Sequence, residues 1–276
     1  RRLSDAEMAR FLVQGYLVLP PDPSIPKTHH AKIFDRCVDL KIEQRGNNPG
    51  NNILALVPGI RDVMESPTVD GALRSVLGDG YRIHGHRHCH TTKPGSGDQT
   101  WHRDAYASGY QRRQHRPRWA MIMYYPQDVT LEMGPTGVIA GSQYLGTQGH
   151  RDLIASARIT KARCDKIGGL RGIGPAPAPP LSFGEQRHVR VPAGSCILIH
   201  FDIWHRGTRN FSQDKKRYMF KLQAVRMHEP LPNKPSWNNV SRELTGSLLS
   251  NLLESPGEPK VPPLFPVWKA MWTWIR

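Results

Sequence analysis

The sequence is short of three things. Acidic residues are scarce: 23 Asp and Glu stand against 38 Lys and Arg, a formal net charge of +15 and a pI near 10.0. Cysteine is scarce and scattered, since Cys37, Cys89, Cys164 and Cys196 include no C-x-x-C pair. No apolar run reaches the ~18 residues that span a bilayer. The first shortage predicts attraction to anions: nucleic acid, an anionic membrane, or a substrate carrying phosphate or carboxylate. The second gives no support to a zinc ribbon. It reads as reduced thiols, so the expected setting is the cytoplasm or another reducing compartment. The third argues against a transmembrane segment. The chain opens on Arg1 rather than Met, so nothing about targeting is read from its start. Charged residues at 22% and aromatics at 8% are ordinary for a globular domain, which excludes a disordered chain, a collagen-like repeat and a coiled coil.

What is present divides the chain into three regions of one expected domain over residues 1–276. Residues 1–80 read as helical. Ser4 with Glu7 forms a capping-box pattern, Leu3 and Met8 the hydrophobic staple, and Gly15 a stop. Tyr16-Leu17-Val18-Leu19 reads as a strand, and helices are expected around 26–45 and 67–76 with a turn-rich loop from Gly46 to Asn52. From 81 to 227 the texture is β. Segments 81–92, 118–126, 136–140, 187–191, 195–200 and 217–227 lie between Gly, Pro and Asp turns, a spacing that predicts a sandwich or barrel. A Pro/Gly loop at 168–184 interrupts this region as a lid or disordered insertion. Residues 228–276 are Pro-rich, with helical pieces expected at 238–254 and 265–276. There Trp268 and Trp272 share a helical face that suits core or subunit packing.

Chemistry concentrates in two places: Gln99-Thr100-Trp101-His102-Arg103-Asp104 and Ile199-His200-Phe201-Asp202-Ile203-Trp204-His205-Arg206-Gly207-Thr208. On an extended backbone His102 and Asp104 point to one side. One more histidine from a distant strand would complete two imidazoles and a carboxylate, the facial set of non-haem Fe(II) oxygenases that leaves three positions open. H-x-D alone is weak in a chain with 13 His. Its company strengthens it: Arg217 follows His205 by 12 residues at the head of a β-rich segment, and a guanidinium grips a carboxylate in bidentate fashion.

Trp101-His102-Arg103-Asp104, Tyr125-Pro126-Gln127-Asp128-Val129-Thr130, Gly134-Pro135-Thr136, Gly141-Ser142-Gln143-Tyr144, Gly194-Ser195-Cys196-Ile197, and His205 with Arg217 follow one another as in the phytanoyl-CoA dioxygenase family. The opening Leu3-Ser4, Phe11 and Gly15-Tyr16-Leu17-Val18-Leu19 is similar to that family's start. The resemblance, from residue 3 to about 227, implies a mainly β fold with flanking helices: a double-stranded β-helix, or cupin-like jelly roll. It implies Fe(II), 2-oxoglutarate and O2, with His102, Asp104 and His205 as iron ligands and Arg217 on the distal carboxylate of 2-oxoglutarate. Lys216 is a rival anchor, because the family's arginine usually falls 11 residues after the second histidine. Thr208 resembles a hydroxyl residue that touches the co-substrate. Counted back from Lys93-Pro94, the register implies that Arg87, Cys89 and Thr91 face inward; counted back from Gly134, Met123 does too, and Trp119 shares its parity. A related group of iron enzymes that halogenates carries Gly or Ala in place of the carboxylate, so Asp104 implies hydroxylation or desaturation.

The same register turns His84, His86, His88 and His90 outward, as a polar outer strand face. Around the H-x-D, basic residues at 87, 112, 113 and 116 outnumber acidic ones. Arg87, Arg112, Arg113 and Arg116 are therefore candidates to meet a small anionic substrate, against the plainer reading of a solvated basic face. Nucleic acid is not expected, for no helix-turn-helix, zinc finger or RNP-type aromatic pattern is present. The competing classes are a non-catalytic basic β-sandwich that binds an anionic partner, and a zinc or manganese jelly roll without 2-oxoglutarate.

Overall fold

The computed structural model of the protein describes residues 1–104, 118–144 and 186–228. The expected loop at 168–184, the helical pieces after 228, and Arg112, Arg113 and Arg116 lie outside them. The chain begins with α1 (Asp5–Gln14), where Ser4 accepts from the Glu7 amide and the Glu7 carboxylate accepts from the Ser4 amide at 2.7 Å. Gly15 ends the helix in the left-handed region at φ 78°, and a Cβ there would meet the Gln143 amide oxygen at 2.3 Å. That reversal starts β1 (Tyr16–Leu19) at once. Next come α2 (Lys27–Asp39), the short α3 (Ile53–Leu56) and α4 (Ile60–Met64), and α5 (Pro67–Leu77).

The α2 helix is shorter than the pattern over 26–45 predicts. Lys41 adopts φ 49°, its amide bonds to the Val38 carbonyl, and Ile42 bonds back to Cys37. This is a Schellman closure with lysine where glycine is usual. It turns Ile42 into the core and brings Glu43 beneath the last strand, where it accepts from Lys216 Nζ at 2.6 Å and the Tyr218 hydroxyl at 2.9 Å.

Among the described residues, eight strands make two antiparallel sheets. Beyond β1 they are β2 (Arg82–Thr92), β3 (Trp119–Tyr124), β4 (Thr136–Ile139), β5 (Gln186–Val189), β6 (Cys196–His200), β7 (His205–Gly207) and β8 (Arg217–Val225). The larger sheet runs β1-β6-β3-β8-β2 and the smaller β5-β4-β7. Alternation divides the larger sheet's side chains between two cores. Ala120, Ile122, Tyr124, Leu198, Tyr218 and Phe220 pack under the helices. Met121, Met123, Ile197, Ile199 and Met219 face the smaller sheet with Val138 and Val189. Helices therefore cover one face of the larger sheet, and the smaller sheet closes the other. The strand at β7 is not legible in the sequence: three residues, His-Arg-Gly, carry no β-branched side chain and no alternation to read.

A buried carboxylate fastens the helical layer. Asp22 accepts from the Ser24 amide at 2.9 Å and the Thr68 amide at 2.8 Å, the latter in the first turn of α5. Burial alone would raise its pKa, but the hydrogen bonds from Ser24 and Thr68 win and bring it down to about 2. In the unfolded chain the group returns to about 3.8, so below that pH the unfolded state takes up more protons. Asp22→Ala is expected to cost roughly 1–3 kcal/mol at pH 7. In urea denaturation at stepped pH, the deficit should fade as pH falls from about 3.8 towards 2, where the wild type loses the same contribution.

Candidate metal centre

The centre is built on one backbone pair. The His102 amide donates to the His205 carbonyl at 3.1 Å, and the His205 amide returns a bond to the His102 carbonyl at 3.0 Å. This antiparallel bridge joins two copies of the same tripeptide, Trp101-His102-Arg103 and Trp204-His205-Arg206. Because the strands run oppositely, each tryptophan meets the other copy's arginine. The Arg206 guanidinium lies 4.6 Å from the Trp101 ring centre and that of Arg103 5.1 Å from the Trp204 ring. Between them the two imidazoles stand with ring centres 4.5 Å apart.

The loop before His102 is sewn to the strand after His205. The Gln99 amide donates to the Gly207 carbonyl and its side-chain oxygen accepts from the Gly207 amide at 2.8 Å. Asp98 accepts from the Arg209 amide at 2.8 Å and from its guanidinium at 3.2 Å.

Both imidazoles have their tautomers set by the backbone. His102 Nδ1 lies 2.8 Å from the Thr100 carbonyl and His205 Nδ1 3.1 Å from the Ile203 carbonyl. A carbonyl only accepts, so Nδ1 donates in each ring and Nε2 keeps a free lone pair. Asp104, two residues past His102, completes the cluster; one ligand atom from each residue lies within 4.8 Å of the others. The carboxylate's two oxygens differ. Oδ1 sits 3.8 Å from His205 Nε2. Oδ2 accepts from Lys221 Nζ at 2.8 Å and from the Gln223 amide at 3.2 Å. Burial would raise the Asp104 pKa, but Lys221 and then His205 outweigh it, so the group is a carboxylate at neutral pH. Burial lowers His205 to about 4 despite the pull of Asp104, so its imidazole is neutral there. The cluster thus offers two imidazole nitrogens and one anionic oxygen, the mixed donor set that suits a divalent first-row ion.

A cavity of about 230 Å³ opens beside this cluster, lined among others by Thr92, His102, Met123, His205, Thr208 and Arg217. It lies below the ~300–1,000 Å³ of pockets for drug-sized ligands, so it suits a small molecule. Arg217 is 2% exposed. One terminal nitrogen donates to the Thr92 hydroxyl, while Nε and Nη1 are buried without a hydrogen-bond partner. A buried cation with two unanswered nitrogens is matched by an anion such as a carboxylate. Lys216, the rival, points the other way and is bound to Glu43. The Thr208 hydroxyl lines the cavity but donates to the Pro135 carbonyl at 2.6 Å, so its hydrogen is committed.

The register expected for β2 is corrected. Thr92 pairs with Arg217, His90 with Met219 and His88 with Lys221, so these residues share the cavity side. Cys89 pairs with Phe220 and packs in the helix-side core. Thr91 borders the cavity but pairs with Tyr218, which stands on the helix side. Arg87 donates through Nε to the Asn51 carbonyl at 3.2 Å and is tied to the helical layer. The physical reason is that Lys93 is not a strand residue but opens the turn to Ser96, so counting from it inverts every side chain before it. Of the histidines read as an outer row, His88 and His90 are therefore turned inward, while His84 and His86 stay exposed. Ring centres of His86, His88 and His90 follow at 5.2 and 4.2 Å. Trp119 shares Met123's face but packs on Phe201 and His84 at ring distances of 5.6 and 5.1 Å, away from the cavity lining. Lys221, Gln223, His90 and Thr92 join the site without having been expected there. Period-two alternation from Arg217 places Lys221 and Gln223 on its face, which is the sequence signal for both.

No curated protein matches the chain in sequence. Solved structures match its fold. The non-haem α-ketoglutarate-dependent carbocyclase SnoK of nogalamycin biosynthesis is similar at a TM-score of 0.55 and 16% identity, over 81% of this chain and 84% of its own. The epimerase SnoN of the same biosynthesis reaches 0.56 at 14%, over 94% and 92%. HygX of Streptomyces hygroscopicus, solved with nickel and 2-oxoglutarate bound, reaches 0.56 at 13%, over 89% and 95%. At such identities the likeness shows the jelly-roll fold. The family is shown by sequence: the profile of the phytanoyl-CoA dioxygenase (PhyH) family, whose members use Fe(II), 2-oxoglutarate and O2, matches residues 28–218. The chain belongs to the phytanoyl-CoA dioxygenase family, and with it to the 2-oxoglutarate-dependent non-haem iron oxygenases.

Proposed function

We propose that this protein hydroxylates a C–H bond of a small, anionic organic substrate, turning 2-oxoglutarate and O2 into succinate and CO2. The observation that carries the reading is Arg217: a buried guanidinium with two unpaired nitrogens in the same cavity as the His102, Asp104 and His205 cluster. A zinc or manganese protein without a dicarboxylate co-substrate has no use for a buried, half-paired cation there. An anion-binding sandwich has no use for two imidazoles with tautomers set to leave adjacent lone pairs.

In this reading His102 Nε2, His205 Nε2 and Asp104 Oδ1 hold the iron. When bound, ferrous iron would activate O2, and O2 supplies the oxidising equivalents for decarboxylation of the keto acid and hydroxylation of the C–H bond. The chain's residues do the rest. The Thr100 and Ile203 carbonyls fix which nitrogen of each imidazole is free. Arg217, itself positioned by Thr92, takes the distal carboxylate and so sets which way the co-substrate enters. Thr208 and Met123 shape the wall and exclude water. The anionic substrate is inferred from the net charge of +15 and from Arg112, Arg113 and Arg116, which follow Asp104 within 12 residues.

Arg217→Ala should raise the 2-oxoglutarate requirement by about 30- to 1000-fold, the loss of a bidentate charged contact worth roughly 2–4 kcal/mol. Lys216→Ala should leave that requirement unchanged and lower the melting temperature, because Glu43 loses its cation. Succinate formation against 2-oxoglutarate concentration measures the first, and a greater loss in the Lys216 variant would overturn the assignment. Replacing Arg112, Arg113 and Arg116 together by Gln should raise the substrate KM and weaken its salt dependence, while substrate-free turnover of 2-oxoglutarate stays as in the wild type. An unaltered KM at low and high salt would make that stretch a solvated face.

A further inference from the structure

Lys221 offers the metal no ligand atom, yet it makes the closest polar contact to the carboxylate of the cluster. It is 6% exposed and sits on β8, two rungs past Arg217 on the same face. Its ammonium lies 2.8 Å from Asp104 Oδ2, and the Gln223 amide lies 3.2 Å from the same oxygen. Oδ1 takes neither bond and faces His205 Nε2. The carboxylate is thus divided: one oxygen is held by two donors from β8, and the other is left for a metal.

We propose that Lys221 is a positioning residue that sets how tightly this centre holds its metal, as the built-in counter-ion of Asp104. The inference rests on the metal-centre reading. With no ion bound, the ammonium neutralises a carboxylate that is 11% exposed and would otherwise be buried without a cation. With an ion bound through Oδ1, the same ammonium stands on the far oxygen of the same carboxylate and repels it. Lys221 therefore stabilises the metal-free protein and opposes the metal-bound one, and both effects weaken binding. Loss of an outer partner also loosens a ligand, commonly by 10–100-fold in affinity. Here Gln223 keeps its bond to Oδ2, so that loss is partial while the loss of charge is complete. Because repulsion grows with the charge of the ion, Lys221 weighs against a trivalent ion more than a divalent one.

The test titrates Mn(II), which binds without turnover, into the metal-free full chain and reads free Mn(II) by its electron paramagnetic resonance signal. Lys221→Met and Lys221→Gln should bind Mn(II) at least about tenfold more tightly than wild type. Lys221→Arg, which keeps the charge, should stay within about threefold. The metal-free melting temperature should fall in the Met variant and its rise on adding Mn(II) should grow. The Gln variant retains a donor to Oδ2 and serves if the Met variant does not fold without metal. Mn(II) affinity equal to or weaker than wild type in both neutral variants overturns the role of Lys221 and leaves the metal centre standing. Absence of Mn(II) binding in wild type and in both neutral variants, with or without 2-oxoglutarate, overturns the centre itself and the role of Lys221 with it.

Discussion

Two backbone hydrogen bonds between His102 and His205 are the constraint on which the site depends. They fix the spacing of the imidazoles before any ion is involved, and they join a loop end to a strand of three residues that could not stand alone. Everything nearby braces this bridge. The reciprocal stacking of Trp101 with Arg206 and of Arg103 with Trp204 clamps it from both flanks. Asp98 and Gln99 tie the approach segment to Gly207 and Arg209. Such bracing is what a metal centre requires, since a ligand misplaced by a fraction of an ångström forfeits much of its bond.

The second theme is charge held in a buried place. The described residues of the centre include one carboxylate, Asp104, and two buried cations, Arg217 and Lys221, all on or against one face of the larger sheet. The cations are two rungs apart on β8 and differ in their partners. Lys221 is answered within the protein, whereas Arg217 has two nitrogens that nothing answers. A surplus positive charge without a partner is costly to bury. In the proposed reading, a dianionic co-substrate that arrives from outside would answer it. The helical layer does the opposite with Glu43, whose carboxylate is satisfied by Lys216 and Tyr218 on the reverse face of the same strand. Alternation along three residues separates a cation tied to the helical layer from one that faces the cavity.

Much of this is legible in the sequence, and the failures have physical causes. The capping box at Ser4, the stop at Gly15 and most strands are local patterns and read directly. His102, Asp104 and His205 stand out through H-x-D and the ordered motifs around it. The register of β2 is lost because both of its faces are polar or mixed. Histidines alternate with Arg87, Cys89 and Thr91, so no hydrophobic stripe says which side is buried, and an irregularity between Ile83 and Arg87 breaks the count. The α2 helix is overextended because a left-handed lysine carries no mark in sequence. Two signals are there to be used. One is the repeated Trp-His-Arg tripeptide, whose copies pair across the bridge. The other is the period-two face of β8, which puts Lys221 and Gln223 in line with Arg217.

The jelly roll supplies the frame and does not by itself fix the outcome of the reaction; structures with this fold include a carbocyclase and an epimerase. The central claim is therefore narrower: two imidazoles, one carboxylate and a buried arginine form a single chelate site for Fe(II) and 2-oxoglutarate. Anaerobic absorption spectroscopy tests it most directly. Fe(II) and 2-oxoglutarate added together should produce a visible charge-transfer band that neither produces alone, that succinate does not support because it lacks the 2-oxo group, and that His205→Ala abolishes. A colourless wild-type mixture at saturating Fe(II) and 2-oxoglutarate, or an undiminished band in His205→Ala, would contradict it.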